Sequence, residues 1–250
     1  MPADATLLTA LFSAGAVLLA AFIKGAIGVG FPTLATPLLT LVIDVKPAVA
    51  VLIVPNIVMD GLQVLRRGGL LDTARRLAVL LVSGGIGTVL GTHVLTLLPS
   101  RAVILTLGGA LLVFVTLNVS RFTPRVPAGW EPWLSPLVGL LAGLVGGVTN
   151  VHGPPLVVYF YALQLDKARF VASISFAFLV YKVVQLGALV AYGLLTWPLL
   201  GASMGLTVVG LGSFALGLRL QDRLAQATFN RVVLGSLAAL GAWLILRAMR

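Results

Sequence analysis

The 250-residue sequence has no cysteine, only seven acidic residues and only two histidines. Without thiols there is no disulfide framework, no thiolate metal site and no redox pair. There is also no His-Glu-x-x-His motif and no aspartate-rich pair for a diphosphate and Mg²⁺, so the apparatus of an intramembrane enzyme is missing, and neither a metal nor a cofactor is expected. Charge of either sign is scarce, with Asp, Glu, Lys and Arg making up 10% of the chain. In its place stand 59% hydrophobic residues and a mean hydropathy of +1.10, far above the soluble range.

The lipid bilayer is therefore the solvent and a partner. In hydrocarbon every backbone donor and acceptor must be paired internally, which allows helices or a closed barrel. Long Leu/Val/Ala runs without period-two alternation exclude the barrel, leaving an all-α polytopic membrane protein. The net charge of +10 raises nucleic acid as a partner only until its placement is read. The Lys and Arg residues sit between apolar runs, where they mark cytoplasmic loops.

At about 20 residues per crossing, eight full spans are expected: 7–29, 47–65, 77–98, 102–119, 134–148, 168–190, 198–218 and 232–246. The first has no basic segment ahead of it and reads as a retained helix rather than a signal peptide. Two shorter apolar stretches, 31–43 and 151–165, each follow a Gly/Pro-broken junction and suit half-helices. The order long, short, long, long, long occurs twice, giving a first repeat at 1–120, a cytoplasmic linker at 121–133 and a second repeat at 134–250. Lys24 to Pro37 aligns without gaps on Ala142 to Pro155, whereas Asp44 and Gln63 align on Asp166 and Gln185, which places Asp60 opposite Lys182.

Orientation follows from the basic residues. Arg66, Arg67, Arg75 and Arg76 fix one loop inside, and Arg121, Arg125, Lys167, Arg169, Arg219, Arg223 and Arg231 fall on the same side. Lys46, Arg101, Arg247 and Arg250 fall outside, with both termini extracytoplasmic. This works only if each short segment returns the chain to the side it came from, so that the two repeats are inverted relative to one another.

Inverted repeats with broken helices bring two breaks together near the midplane, where helix N-termini offer unpaired N–H groups and partial positive charge to an anion. Gly28, Gly30 and Thr33 in the first half, with Gly147, Thr149, Asn150, His152 and Gly153 in the second, are small or hydrogen-bonding residues suited to such a site; close helix packing is the other use of the glycines. Pro154 and Pro155 fit a first helical turn. Lys24, Asp60 and Lys182 are ionisable groups inside spans, which need a partner or a water-filled path. Lys182 and Asp60 can form a purely architectural ion pair, and Lys24 can snorkel from its helix end. Alternatively the lysines attract an anion while Asp60 balances one of them or carries a proton. Gln63 and Gln185 complete a polar lining, with Tyr159, Tyr161 and Tyr181 as lesser contributors.

The Gly-rich break, the proline a few residues on and the duplication over nearly the whole chain resemble the TauE/SafE sulfite exporter family. The resemblance implies a bacterial plasma-membrane exporter of sulfite, sulfonates or related oxyanions and organic acids, with the family's glycine-rich motifs on Lys24 to Pro37 and Gly143 to Pro155. Phe31-Pro32 and Thr149-Asn150-Val151-His152 depart from the glycines usual there, which bears on the substrate. Alternating access is the expected mechanism, and proton coupling through His152 or Asp60, sodium coupling and simple facilitated diffusion all fit the residues; a passive anion channel and a non-transporting scaffold are the alternatives. A cation carrier would bury several carboxylates, and Asp60 is alone deep in a span.

Overall fold

The computed structural model describes residues 3–67, 70–119, 125–165, 167–221, 241–246 and 248–249. The described residues form helices and connecting turns, with no strand among them. In order these are α1 (Ala3–Ile27), α2 (Phe31–Leu39), α3 (Val45–Val51), α4 (Ile53–Arg67), α5 (Leu70–Leu97), α6 (Ser100–Val119), a 3-10 turn (Ala128–Trp130), α7 (Glu131–Thr149), α8 (Gly153–Ala162), α9 (Lys167–Ala191) and α10 (Trp197–Leu220). Among the described residues seven stretches are long and apolar enough to cross a membrane: Leu7–Ile27, Val45–Arg66, Thr73–Leu97, Ser100–Leu117, Glu131–Thr149, Arg169–Ala191 and Trp197–Leu220. The expected eighth span falls mostly outside the described residues, as do Arg121, Arg223, Arg231, Arg247, Arg250 and Asp166; residues 241–246 are helical, with Leu244 buried.

The two short segments are helices of 9 and 10 residues. At about 1.5 Å per residue each reaches roughly half of a 30 Å hydrocarbon core. The span expected at 47–65 is interrupted, because α3 ends at Val51 and α4 begins at Ile53. Pro55 is the cause: it carries no N–H for the Val51 carbonyl, and its ring crowds that carbonyl.

Contacts at the helix ends sort the chain into two ends. At one, Lys46 Nζ donates to the Thr96 carbonyl (3.1 Å), Ser100 Oγ donates to the Asp44 carboxylate (2.8 and 2.9 Å), the Arg101 guanidinium meets the Met249 carbonyl (3.2 Å), and the His93 and Tyr192 rings lie 5.3 Å apart. At the other, Arg66 meets the Leu218 carbonyl (3.3 Å), Arg76 meets Glu131 (3.4 Å), and the Val126 amide donates to the Ala162 carbonyl (3.0 Å). Hence α4 and α9 run in opposite directions, as do α5 and α10. The helix α1 starts beside Ile43, Pro47 and Leu199, and α2 returns to Asp44 at that same end. Likewise α7 starts at Glu131, and α8 returns to Ala162.

Close backbone approach holds the long helices together. Gly25 of α1 lies against the Phe214–Leu218 backbone of α10, and Gly217 lies against Phe22 and Ala26 in return. Gly139, Gly143 and Gly147 of α7 meet the backbone of α5 between Leu80 and Thr92 in the same way, with Gly87 and Gly91 facing Leu140 and Leu144. A Cβ at any of these glycines would overlap main-chain atoms, the small-residue packing that substitutes for a hydrophobic drive between helices in lipid. Thus α1 packs on α10, and α7 packs on α5.

Candidate functional site

The breaks themselves are alike. Gly28, just past α1, has φ 96°, and Asn150, just past α7, has φ 70°; both lie in the left-handed region that ends helices. Gly30 (φ 104°) and His152 precede α2 and α8, followed by Phe31-Pro32 and Gly153-Pro154. The spacing from Ile27 to Thr149 and from Phe31 to Gly153 equals that from Asp60 to Lys182 and from Gln63 to Gln185. The helix boundaries at the breaks thus follow the Gln63-to-Gln185 spacing, which differs by about four residues, one helical turn, from the ungapped match of Lys24 to Pro37 with Ala142 to Pro155. Recurring small residues at helical spacing produce such an offset. At that spacing Lys24 falls against Gly146, and Gly28 against Asn150.

The two breaks meet. Asn150 Nδ2 donates to Thr36 Oγ1 of α2 at 2.9 Å, and Thr33 and Phe178 flank Gly153. Around this junction Lys24, Thr33, Thr36, Asp60, Gln63, Thr149, Asn150, His152, Lys182 and Gln185 are all buried, between 0 and 4% exposed.

Two lysines find different solutions. Lys24 Nζ pairs with Asp60 Oδ1 at 2.5 Å, both fully buried, and lies 5.6 Å from the Phe178 ring centre. Lys24 therefore does not snorkel, and an architectural Lys182–Asp60 ion pair does not form. Lys182 Nζ donates instead to the Asn150 carbonyl (2.9 Å), the Asn150 side-chain oxygen and Gln185 Oε1 (2.8 Å). The left-handed turn at Asn150 frees that carbonyl at the negative end of α7, which suits a cation. Three acceptors around one nitrogen need three N–H donors, the complement of an ammonium group. Its partners are all neutral, so its charge has no direct counter-ion.

The amides are organised around these lysines. Gln185 Nε2 reaches the Gly146 (3.2 Å) and Gly147 (3.3 Å) carbonyls, and Ser175 Oγ donates to Gln63 Oε1 at 3.2 Å. Thr149 Oγ1 donates to the Val145 carbonyl (2.7 Å) and accepts from the Val151 amide (3.2 Å), stitching the break itself. His152 stacks obliquely on Tyr181 at 5.5 Å, lies 3.5 Å from Thr88 Oγ1, and occupies space that Gly146 leaves free. Gly28 rests against Val171 and Gln221, and Gly147 serves helix packing. Tyr181 donates to the Leu80 carbonyl (2.8 Å) and Tyr159 pairs with Ser135 (2.6 Å), whereas Tyr161 is exposed.

The half-helix N-termini are poorer in donors than expected. Pro154 and Pro155 follow Gly153 at the start of α8, and Pro32 follows Phe31 in α2, so prolines remove N–H groups that an anion would use. Positive charge at this junction resides in side chains. Four participants were not foreseen: Thr36, Ser175, Thr88 and Phe178. Only Thr36 left a signal, sitting one turn beyond Thr33 on the same face of α2.

A multi-pass helical bundle with buried ions gathered around two broken helices has the build of a membrane transporter. The family model described as Sulfite exporter TauE/SafE matches residues 13–244, and the chain belongs to that family of membrane exporters. Neither a curated protein nor a solved structure matches it.

Proposed function

We propose that the protein exports small sulfur-containing anions, such as sulfite, sulfonates or related oxyanions, by alternating access around the junction of the two breaks. The observation that carries this reading is the Lys182 ammonium, buried with neutral partners alone. A charge in that setting is costly unless compensated, and an anion beside it supplies the compensation. Asn150 and Gln185, whose amides can turn, then become ligands with Lys182, while Thr33, Thr36, Gly30 and Gly153 shape the wall. Binding residues at this site are Lys24, Gly28, Gly30, Thr33, Asp60, Gln63, Gly147, Thr149, Asn150, His152, Gly153, Lys182 and Gln185, with Gly28, Gly147 and Thr149 contributing shape rather than direct contact.

The opposite courses of α4 and α9 and of α5 and α10 support two inverted halves that rock against one another. The grouping of Arg66, Arg76 and Arg219 at one end supports placing that end in the cytoplasm of a bacterial inner membrane, with both termini outside.

Replacing Asn150 by aspartate tests the reading. The substitution keeps the side chain's shape and installs a resident carboxylate against Lys182. Sulfite flux into proteoliposomes is expected to fall on the order of tenfold or more, since a charge-assisted bond of about 1.5–3 kcal/mol must be displaced by each substrate ion. Undiminished flux in the folded variant would remove Lys182 from the site. Saturation with concentration and acceleration by a counter-anion would mark a carrier; linear, unsaturated flux would mark a channel.

A further inference from the structure

Helix α4 presents Asn56, Asp60 and Gln63 at i, i+4 and i+7, one face of the helix. All three are buried, at 0, 0 and 2% exposure. Each is half satisfied: Asn56 Nδ2 donates to the Leu52 carbonyl (2.9 Å), Asp60 Oδ1 accepts from Lys24, and Gln63 Oε1 accepts from Ser175. Left over are Asn56 Oδ1, Asp60 Oδ2 and Gln63 Nε2, none with a hydrogen-bond partner. Asn56 Oδ1 and Asp60 Oδ2 are both acceptors one turn apart, so neither can satisfy the other. A proton on Asp60 Oδ2 turns that oxygen into a donor, and the unpartnered Asn56 Oδ1, one turn away on the same face, is an acceptor.

The charges around Asp60 can be counted. Lys24 faces it from α1 and Lys182 lies within electrostatic reach from α9, with His152 near Lys182 at the α7–α8 break. From α3 the only charged group is Lys46, held at Thr96; α10 contributes only Arg219, exposed in its last turn. On α4 itself Arg66 reaches the Leu218 carbonyl at the helix end. Two ammonium groups and one carboxylate leave the buried cluster with a single positive charge. A monoanion neutralises it; a dianion overshoots by one unit, in a setting where uncompensated charge is expensive.

Resting on the anion-transport reading, we infer that the site is matched to one net negative charge, and that a divalent oxyanion crosses together with one proton held on Asp60 Oδ2. The proton enters from water with the dianion, forms the O–H bond on Asp60, and leaves to water when the anion is released, so the occupied cluster is neutral in either case. The carboxylate that balances Lys24 in the empty protein thereby doubles as the sensor of substrate charge.

Purified full-length protein in liposomes enclosing a pH-sensitive dye tests this, with the membrane potential clamped and either radiolabelled sulfate, a fixed dianion, or methanesulfonate, a fixed monoanion, as probe. Sulfate entry is expected to bring one proton per ion and to slow as the pH is raised. Methanesulfonate entry is expected to bring none and to be insensitive to pH. If methanesulfonate moves and sulfate either moves without a proton or fails to move at any pH, the inference is overturned while anion transport stands; if neither moves, the transport reading itself fails. The double variant Lys24→Met, Asp60→Asn leaves the cluster at one positive charge with no carboxyl to protonate. In it, sulfate flux relative to methanesulfonate is expected to fall on the order of tenfold and its proton movement to disappear. Retained proton movement in that variant would place the carrier elsewhere. The wild-type stoichiometry decides the matter even if the variant does not fold.

Discussion

Replacing Lys182 by glutamine is expected to lower sulfite flux by a factor of about 10 to 150, the equivalent of losing one charge-assisted interaction of roughly 1.5–3 kcal/mol, while the protein remains folded. The amide can still donate toward the Asn150 side chain or Gln185, which Lys182 now serves. Removing a buried charge that has only neutral partners also relieves its desolvation, and such replacements are often neutral or stabilising. Loss of flux with an unchanged or raised melting temperature in detergent thus separates a binding role from an architectural one. A variant that melts earlier but transports normally would assign Lys182 to the scaffold. Lys182→Arg keeps the charge and should retain more flux than the glutamine variant, although a rigid fork cannot reproduce three bonds converging on one nitrogen.

The opposite signature is expected at Asp60. Its exchange for asparagine leaves Lys24 fully buried beside a neutral group, and breaking a buried pair on one side costs about 3–5 kcal/mol. Unfolding measured in mixed micelles should show a destabilisation of that order. Adding Lys24→Met to remove the orphaned charge should restore most of it. The coupling is a double-mutant cycle, and non-additivity is the expected result for residues in direct contact. Additive losses at Lys24 and Asp60 would mean that the 2.5 Å contact contributes nothing to stability.

Much of this was legible in the residues because hydrocarbon is an unforgiving solvent. Apolar runs of membrane length gave most of the spans, and the glycines and prolines at 28–32 and 146–155 located both breaks. The ionisable groups stood out because so few occur inside spans. What the sequence could not reveal was pairing, since either lysine is chemically suited to Asp60 and the choice depends on which helices are neighbours. The packing of Gly25 on the Phe214–Leu218 backbone is part of what fixes the position of α1, and no local pattern predicts it. The interruption at Leu52 is the reverse case: Pro55 announced it, yet the hydropathy of the surrounding run concealed it. The offset of one turn between the ungapped match and the helix boundaries has a related reason, as small residues recur at helical spacing and match themselves equally well one turn away.

For an anion to cross by the proposed alternating access, the two breaks that meet at Asn150 and Thr36 must move relative to one another. The absence of native cysteine gives a clean background for testing it with Thr33→Cys and Gly153→Cys, since a Cβ added at Gly153 would lie 3.7 Å from Thr33 Oγ1. Mild oxidation of the double variant in proteoliposomes is expected to form a cross-link between α2 and α8 and to stop sulfite flux, with a reductant restoring both mobility and transport. Failure of the two thiols to join would separate the two breaks, and full flux through the cross-linked protein would rule out their relative movement as the transport step.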